Sequence, residues 1–206
     1  MELLNNLIYI KNNHFTVNWD EVDKIKEFHV LTETEQNPFW HSEIYVHKHT
    51  IEVVRHIIKL FNDTSKLSYI MVASALFHDI GKGACTFFNK EKGTWSSPQH
   101  ASVGADITKK LLDGEDEDLI EIISWFVLNH MKPLEIYDSD RPIKEIIKLS
   151  NNSPNIKYCT IENLLKLKQC DCLGSKMKKY DGWKEKLEFL KNIAIKYKCY
   201  NRPHNL

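Results

Sequence analysis

The chain has 206 residues, 42% of them hydrophobic and 11% aromatic, a globular composition long enough for one domain with a substantial core. Its 28 basic residues balance 28 acidic ones, so no global field advertises a nucleic-acid or membrane partner. The five cysteines (Cys85, Cys159, Cys170, Cys172, Cys199) are odd in number and scattered, which argues against a disulfide framework. With no basic n-region or cleavage site in MELLNNLIYIKNN, and no apolar stretch longer than IMVASALF or LIEIISWFVL, a soluble, cytoplasmic protein with reduced thiols is expected.

NLIYI, near the start, hints at a strand. A helix is expected over residues 20–28, with Asn18 or Asp20 available as its cap. TETEQNPFWHS follows as a loop around Pro38, and then residues 43–61 place Ile44, Ile51, Val54, Ile58 and Phe61 at helical spacings. Residues 67–79 are apolar almost throughout, as a central buried helix should be, with Gly81 and Gly83 to end it. Residues 83–98 read as an extended or irregular loop. Helices are expected over 102–112 (stopped by Asp113-Gly114), 116–131 (ended by Pro133), 142–149, 160–173 and 182–197. No internal repeat, linker or domain boundary interrupts this pattern. The expected architecture is a single all-α helical bundle spanning residues 1–206.

Histidine occurs ten times, so a single histidine means little and order carries the weight. The chain offers in turn VHKHT (46–50), ALFHDIGK (75–82), QHASVGA (99–105), LNH (128–130) and LKQCDCLG (167–174). ALFHDIGK is the most informative. Seven of the ten residues from 70 to 79 are apolar, yet the helix ends in an imidazole beside a carboxylate. Ionisable groups are costly to bury unless paired or bound to metal. Neighbours on a regular helix point about 100° apart. At a helix end, where Gly81 permits a turn, His78 and Asp79 can instead converge on one point. The bland alternative is a helix C-terminus with His78 on the dipole and Asp79 opening a turn.

The succession His49…His78-Asp79…Asp171, with an apolar lead-in and a trailing Ile-Gly-Lys, resembles the signature of the HD superfamily of metal-dependent phosphohydrolases. The likeness extends to the HD domain of bacterial tRNA CCA-adding enzymes. NPFWHSEIYVHKHTIEVV, QHASVGADI and WFVLNHMKP are similar to that domain's first-ligand helix, post-doublet helix and His-before-Pro helix. It covers about residues 37–175 and includes no nucleotidyltransferase domain.

This resemblance implies a metal held by His49, His78, Asp79 and Asp171, with His100 and His130 either holding a second ion or contacting substrate. One tightly held metal is the expectation. Four histidines and two aspartates suit manganese, nickel, cobalt, iron or zinc better than magnesium. The family places a histidine near the substrate at His41. His47 and His49 point to nearly opposite faces of a helix, so only one can be a ligand, and His47 is expected on the solvent side. His56, two turns on, is too distant. Cys170 and Cys172 form at most half of a Cys-x-Cys zinc site and otherwise serve as small apolar neighbours of Asp171.

In the expected chemistry a metal-activated water attacks phosphorus. Asp79 partners that water, Lys82 offers positive charge to a phosphate, and His100 or His130 is a general acid if not metal-bound. Lys132 and Arg141 are weaker candidates for phosphate contacts. The expected partner is a small phosphorylated substrate such as a nucleotide, a 2′,3′-cyclic phosphate or an RNA end, with no membrane. Hydrolysis of a dinucleoside polyphosphate, a di-iron oxygenase and a non-catalytic nucleotide sensor are the competing readings. Phe87, Phe88 and Trp95 either stack on a base or pack in the core.

Overall fold

The computed structural model describes residues 3–175 and 182–201. Helix α1 (Leu3–Leu7) leads into an antiparallel hairpin, β1 (Ile8–Lys11) and β2 (His14–Val17), which pairs Ile8 with Val17. Asn12 and Asn13 form its turn at φ 53° and 63°, left-handed conformations that asparagine tolerates better than most residues. Only the first of these strands was legible in the sequence.

The single helix expected over 20–28 is two short ones, α2 (Trp19–Val22) and α3 (Lys26–His29), followed by a 3₁₀ turn at Val30–Thr32. Ile25 breaks them by going extended (φ −84°, ψ 122°), and Val22 and Phe28 on either side are both buried. Asn18 occupies the first cap position without a side-chain capping bond.

Helix α4 (Val46–Leu60) begins three residues later than expected. Residues 34–36 pair back on 44–46 through Gln36 N–Ile44 O (2.9 Å) and Val46 N–Thr34 O (3.0 Å), which keeps this stretch extended and leaves Ile44 exposed. Helix α5 (Lys66–Phe77) lies at the centre, with Ser65 accepting the Ser68 N–H at its start and every residue from 70 to 77 buried. It contacts α4, α8 (Glu117–Asn129) and α11 (Ile161–Gly174), which enclose it.

The chain turns at residues 78–81 and re-enters a short helix, α6 (Lys82–Cys85). Gly81 does not provide this turn by an unusual backbone, for its φ is −68°. It provides room, because α7 (His100–Leu111) crosses directly over it. The loop expected over 83–98 contains that helix and a hairpin, β3 (Phe87–Asn89) and β4 (Thr94–Ser96). Gly114, at φ 91°, follows α7 as expected.

Helix α9 (Lys132–Tyr137), absent from the sequence reading, takes Pro133 into its first turn, where a missing N–H is harmless. Helices α10 (Pro142–Asn151) and α12 (Trp183–Lys196) close the bundle. Helix α11 faces two ways. Leu164, Leu167 and Cys170 join the main core, whereas Ile161 and Leu165 join a second cluster with Ile136, Ile146, Leu187, Leu190 and Ala194. Among the described residues the fold is all-α with two small hairpins. No described helix is long and apolar enough to cross a membrane.

Candidate metal centre

Five elements bring ionisable side chains to one buried point beside the end of α5. His49 projects from the first turn of α4, and His78 and Asp79 occupy the turn after α5. His100 opens α7, His130 follows the last residue of α8, and Asp171 lies in the last turn of α11. The six residues expected at the centre are therefore together.

Their spacing divides into two sets that share Asp79. On one side, His49 Nε2 lies 3.0 Å from Asp171 Oδ1, 3.3 Å from His78 Nε2 and 3.7 Å from Asp79 Oδ2. His78 Nε2 is 3.3 Å from Asp79 Oδ2 and 3.9 Å from Asp171 Oδ1. On the other side, His100 Nε2 and His130 Nε2 are 3.2 Å apart, and lie 3.4 and 3.6 Å from Asp79 Oδ1. Metal–ligand bonds of about 2.1 Å place neighbouring ligand atoms about 3.0 Å apart in an octahedron and about 3.4 Å in a tetrahedron. The donor set fits a divalent ion in both chemistry and spacing.

Burial raises the carboxyls of Asp79 and Asp171, but cations outweigh it and hold both well below the usual carboxylate range. Lys82 and His78 act on Asp79, and Lys168 and His49 act on Asp171. Lys82 Nζ donates to Asp79 Oδ2 at 2.8 Å, and Lys168 Nζ to Asp171 Oδ2 at 2.7 Å. Burial pushes the His49 imidazole down, yet Asp171 and Glu43 overcome it and lift its pKa to about 9. His100 and His130 are lowered, chiefly by burial, and burial with Lys82 brings His41 to about 4.

These shifts set a pH optimum for the metal-free fold. The raised His49 contributes stability that is whole below the ordinary 6.5 and is lost as pH climbs through about 9. The lowered His41, His100 and His130 act oppositely, favouring the unfolded chain as pH drops below 6.5, His41 down to about 4. Asp79, Asp171 and Glu43 (near 2) remove further stability below the ordinary carboxylate range. Calorimetry in chelator is expected to find the highest Tm near pH 6.5, and a Tm rising steadily to pH 9 would contradict these assignments.

A cavity of about 640 Å³ opens onto the centre, a volume ordinary for a small-molecule site. Asp79, Lys82, His100, His130, Lys168 and Asp171 form its charged end, while Trp40, Phe87, Trp95, Met131, Leu134 and Trp183 supply apolar walls. Lys82 is buried and held by Asp79 and Gln36 Oε1 (2.9 Å), so it is no solvated surface lysine. His41 lines the cavity as expected. Phe87 and Trp95 do so too, whereas Phe88 packs edge-on against Trp95.

Several expectations are corrected. Lys132 pairs with Glu135 on the surface, and Arg141 lines a different groove along α10, so neither borders the cavity. His47 is not simply solvent-facing. It packs edge-on to Trp19, 3.0 Å from Asp23, because the N-terminal helices fold over that face of α4. Among the described residues His56 joins no potential ligand group. Cys170 packs in the main core, and among the described residues neither it nor Cys172 joins a potential ligand group, so the pair forms no zinc half-site.

Sequence reasoning missed Glu43 and Lys168. Lys168 carried a signal: it precedes Asp171 by three residues on an otherwise apolar helix face, the mirror of the Asp79–Lys82 spacing. Glu43 had none beyond its nearness to His41.

Fold and site together define an all-α protein built around a buried histidine–aspartate cluster with the makings of a divalent metal centre. The model of the HD domain family matches residues 46–170, which include His49, His78, Asp79, His100 and His130 and stop one residue short of Asp171. The chain belongs to the HD domain family, most members of which are metal-dependent hydrolases. A search of curated proteins returned no match.

Proposed function

We propose that the chain is a divalent-metal-dependent phosphohydrolase acting on a nucleotide or a 2′,3′-cyclic phosphate. One observation carries the reading: the ligand cluster forms the floor of a large cavity, and two buried lysines stand at that floor. Asp79, Asp171 and Glu43 bring three negative charges and Lys82 and Lys168 two positive ones. With a divalent ion added and His49 neutral, the floor carries one net positive charge, which favours an anionic substrate.

His49, His78, Asp79 and Asp171 would hold a divalent ion, which would supply an activated water and polarise a phosphoryl oxygen. Lys82 and Lys168 orient the phosphate and counter the charge that develops on it. The aromatic walls supply apolar surface for a base. His100 and His130 are poor general acids. Each directs Nδ1 at a carbonyl oxygen, Ser97 O (2.8 Å) and Val127 O (2.7 Å), which can only accept. Their neutral forms therefore present a lone pair on Nε2, suited to a second ion or to accepting a hydrogen bond from substrate.

That arrangement, with Asp79 Oδ1 facing the second histidine pair, favours a two-metal variant of the same activity, dinucleoside polyphosphate hydrolysis included. The likeness of the sequence to the HD domains of CCA-adding enzymes favours the cyclic phosphate, and an RNA end bearing one remains a candidate substrate.

Bis-p-nitrophenyl phosphate and 2′,3′-cyclic AMP should turn over with manganese, nickel or cobalt and not in chelator, and counting ions per chain separates one metal from two. Bound iron with oxygen consumption and no phosphoester turnover would move the assignment to the oxygenase branch. Bound metal with neither activity would move it to a sensor.

A further inference from the structure

Four histidines present Nε2 to the centre, and three are held there in one way. His78, His100 and His130 each direct Nδ1 at the carbonyl oxygen three residues earlier, Ala75 O (2.8 Å), Ser97 O (2.8 Å) and Val127 O (2.7 Å). All three sit at a helix end. His49 sits inside α4, where the carbonyl three residues back, Val46 O, already accepts the Thr50 hydroxyl at 3.1 Å. Its Nδ1 instead lies 2.9 Å from Glu43 Oε1, an ion-pair contact out of line for a good hydrogen bond in the metal-free arrangement, made by a carboxylate whose side chain is only 8% exposed.

The same oxygen lies 3.0 Å from Nδ1 of His41, on the cavity wall. The strap that carries Glu43 is pinned at two points. Its bridge to residues 34–36, themselves anchored where Gln36 holds Lys82, fixes one side, and Ser42 N–Ser175 O (3.3 Å) ties it to the end of α11. A buried carboxylate on so fixed a strap is costly unless it works on its neighbours.

We infer that Glu43 is the positioning residue of the centre, holding the His49 ring with Nδ1–H directed outward and Nε2 presented to the metal. A carboxylate behind a ligand imidazole fixes its tautomer and increases its basicity more than a neutral carbonyl does. His49 is thereby the strongest histidine donor of the four. Because His41 shares the oxygen, the ligand is also joined to the substrate cavity.

The inference rests on the metal reading but not on turnover, so its test reads metal binding. Cobalt or zinc would be titrated into metal-free wild type, Glu43→Ala and Glu43→Gln, with circular dichroism and Tm recorded before metal is added. Glu43→Ala is expected to weaken binding about 10- to 100-fold and to alter the visible cobalt spectrum. Glu43→Gln keeps an acceptor oxygen without the charge and should fall between it and wild type.

A Glu43→Ala protein that is folded and binds cobalt with wild-type affinity and spectrum overturns the inference. So does a fall in metal-free Tm with unchanged metal affinity, which is what a merely structural glutamate would give. Should Glu43→Ala fail to fold, Glu43→Gln decides on the same criteria. A wild type that binds no metal overturns the inference together with its premise, whereas metal bound without turnover leaves it standing and removes only the hydrolase reading.

Discussion

Asp79→Ala is expected to lose its metal and with it phosphoester turnover by about a thousandfold or more, beyond what removal of a single electrostatic contact costs. Among the described residues Asp79 is the one side chain that joins both ligand sets of the centre. Its Oδ2 faces His49 and His78 and accepts from Lys82, while its Oδ1 faces His100 and His130. Truncation therefore removes a ligand from each set at once. It also leaves two carboxylates, Asp171 and Glu43, against two lysines, so the net negative charge that favours a divalent cation is gone. Lys82 keeps Gln36 and borders the cavity, so it can hydrate, and the folded state should survive. Asp79→Asn, which keeps the shape without the charge, separates these effects: it should fold like wild type and still bind metal poorly. Metal content by atomic emission and turnover of 2′,3′-cyclic AMP are the readouts. Full metal content in Asp79→Ala would show that His49, His78 and Asp171 suffice, and that Asp79 is not a ligand.

Why Asp79 was legible in the sequence and Glu43 was not is a matter of physical contrast. A carboxylate at the end of an apolar run such as residues 70–77 is conspicuous, because that run leaves no doubt of burial. Glu43 stands in a polar loop among Ser42, His41 and Thr34, where nothing marks it as buried. The long helices announced themselves in the same manner. Helix α5 is apolar almost throughout, α8 and α11 place apolar residues at helical spacings, and all three start at a capping Ser, Asp or Thr. The short elements depended on contacts distant in the chain. Helices α2 and α3 are divided so that Val22 and Phe28 both reach the core, and the start of α4 is set by a bridge from Glu35 to Tyr45. A helical template applied to residues 43–45 cannot see that bridge. The same holds for His47, whose surroundings are Trp19 and Asp23, more than twenty residues away.

Gly81→Ala is expected to cost about 3 kcal/mol, or roughly 10 °C in Tm, at a position whose backbone any residue could adopt. Its φ of −68° excludes a conformational cause. The cost is contact: an added Cβ would lie 2.1 Å from His100 O, 2.5 Å from Gly104 N and 2.9 Å from Gly104 Cα. All three are backbone atoms, so no side chain can swing aside and α7 itself must retreat. Gly104 answers from the other side, where a Cβ would come within 3.2 Å of Gly81 N and of Val127 Cγ1. The crossing is thus glycine on glycine, and it decides how closely α7 approaches the turn bearing His78 and Asp79. Retreat of α7 carries His100 away from Asp79 Oδ1, now 3.4 Å distant, but leaves His49 and Asp171 on α4 and α11 undisturbed. The variant should therefore weaken any ion held by His100 and His130 before the one held by His49, His78, Asp79 and Asp171. Denaturant unfolding and metal stoichiometry, read together, test both halves of the claim. A Gly81→Ala protein with wild-type stability would mean that α7 has slack at this crossing and that the spacing between the two halves of the centre is set elsewhere.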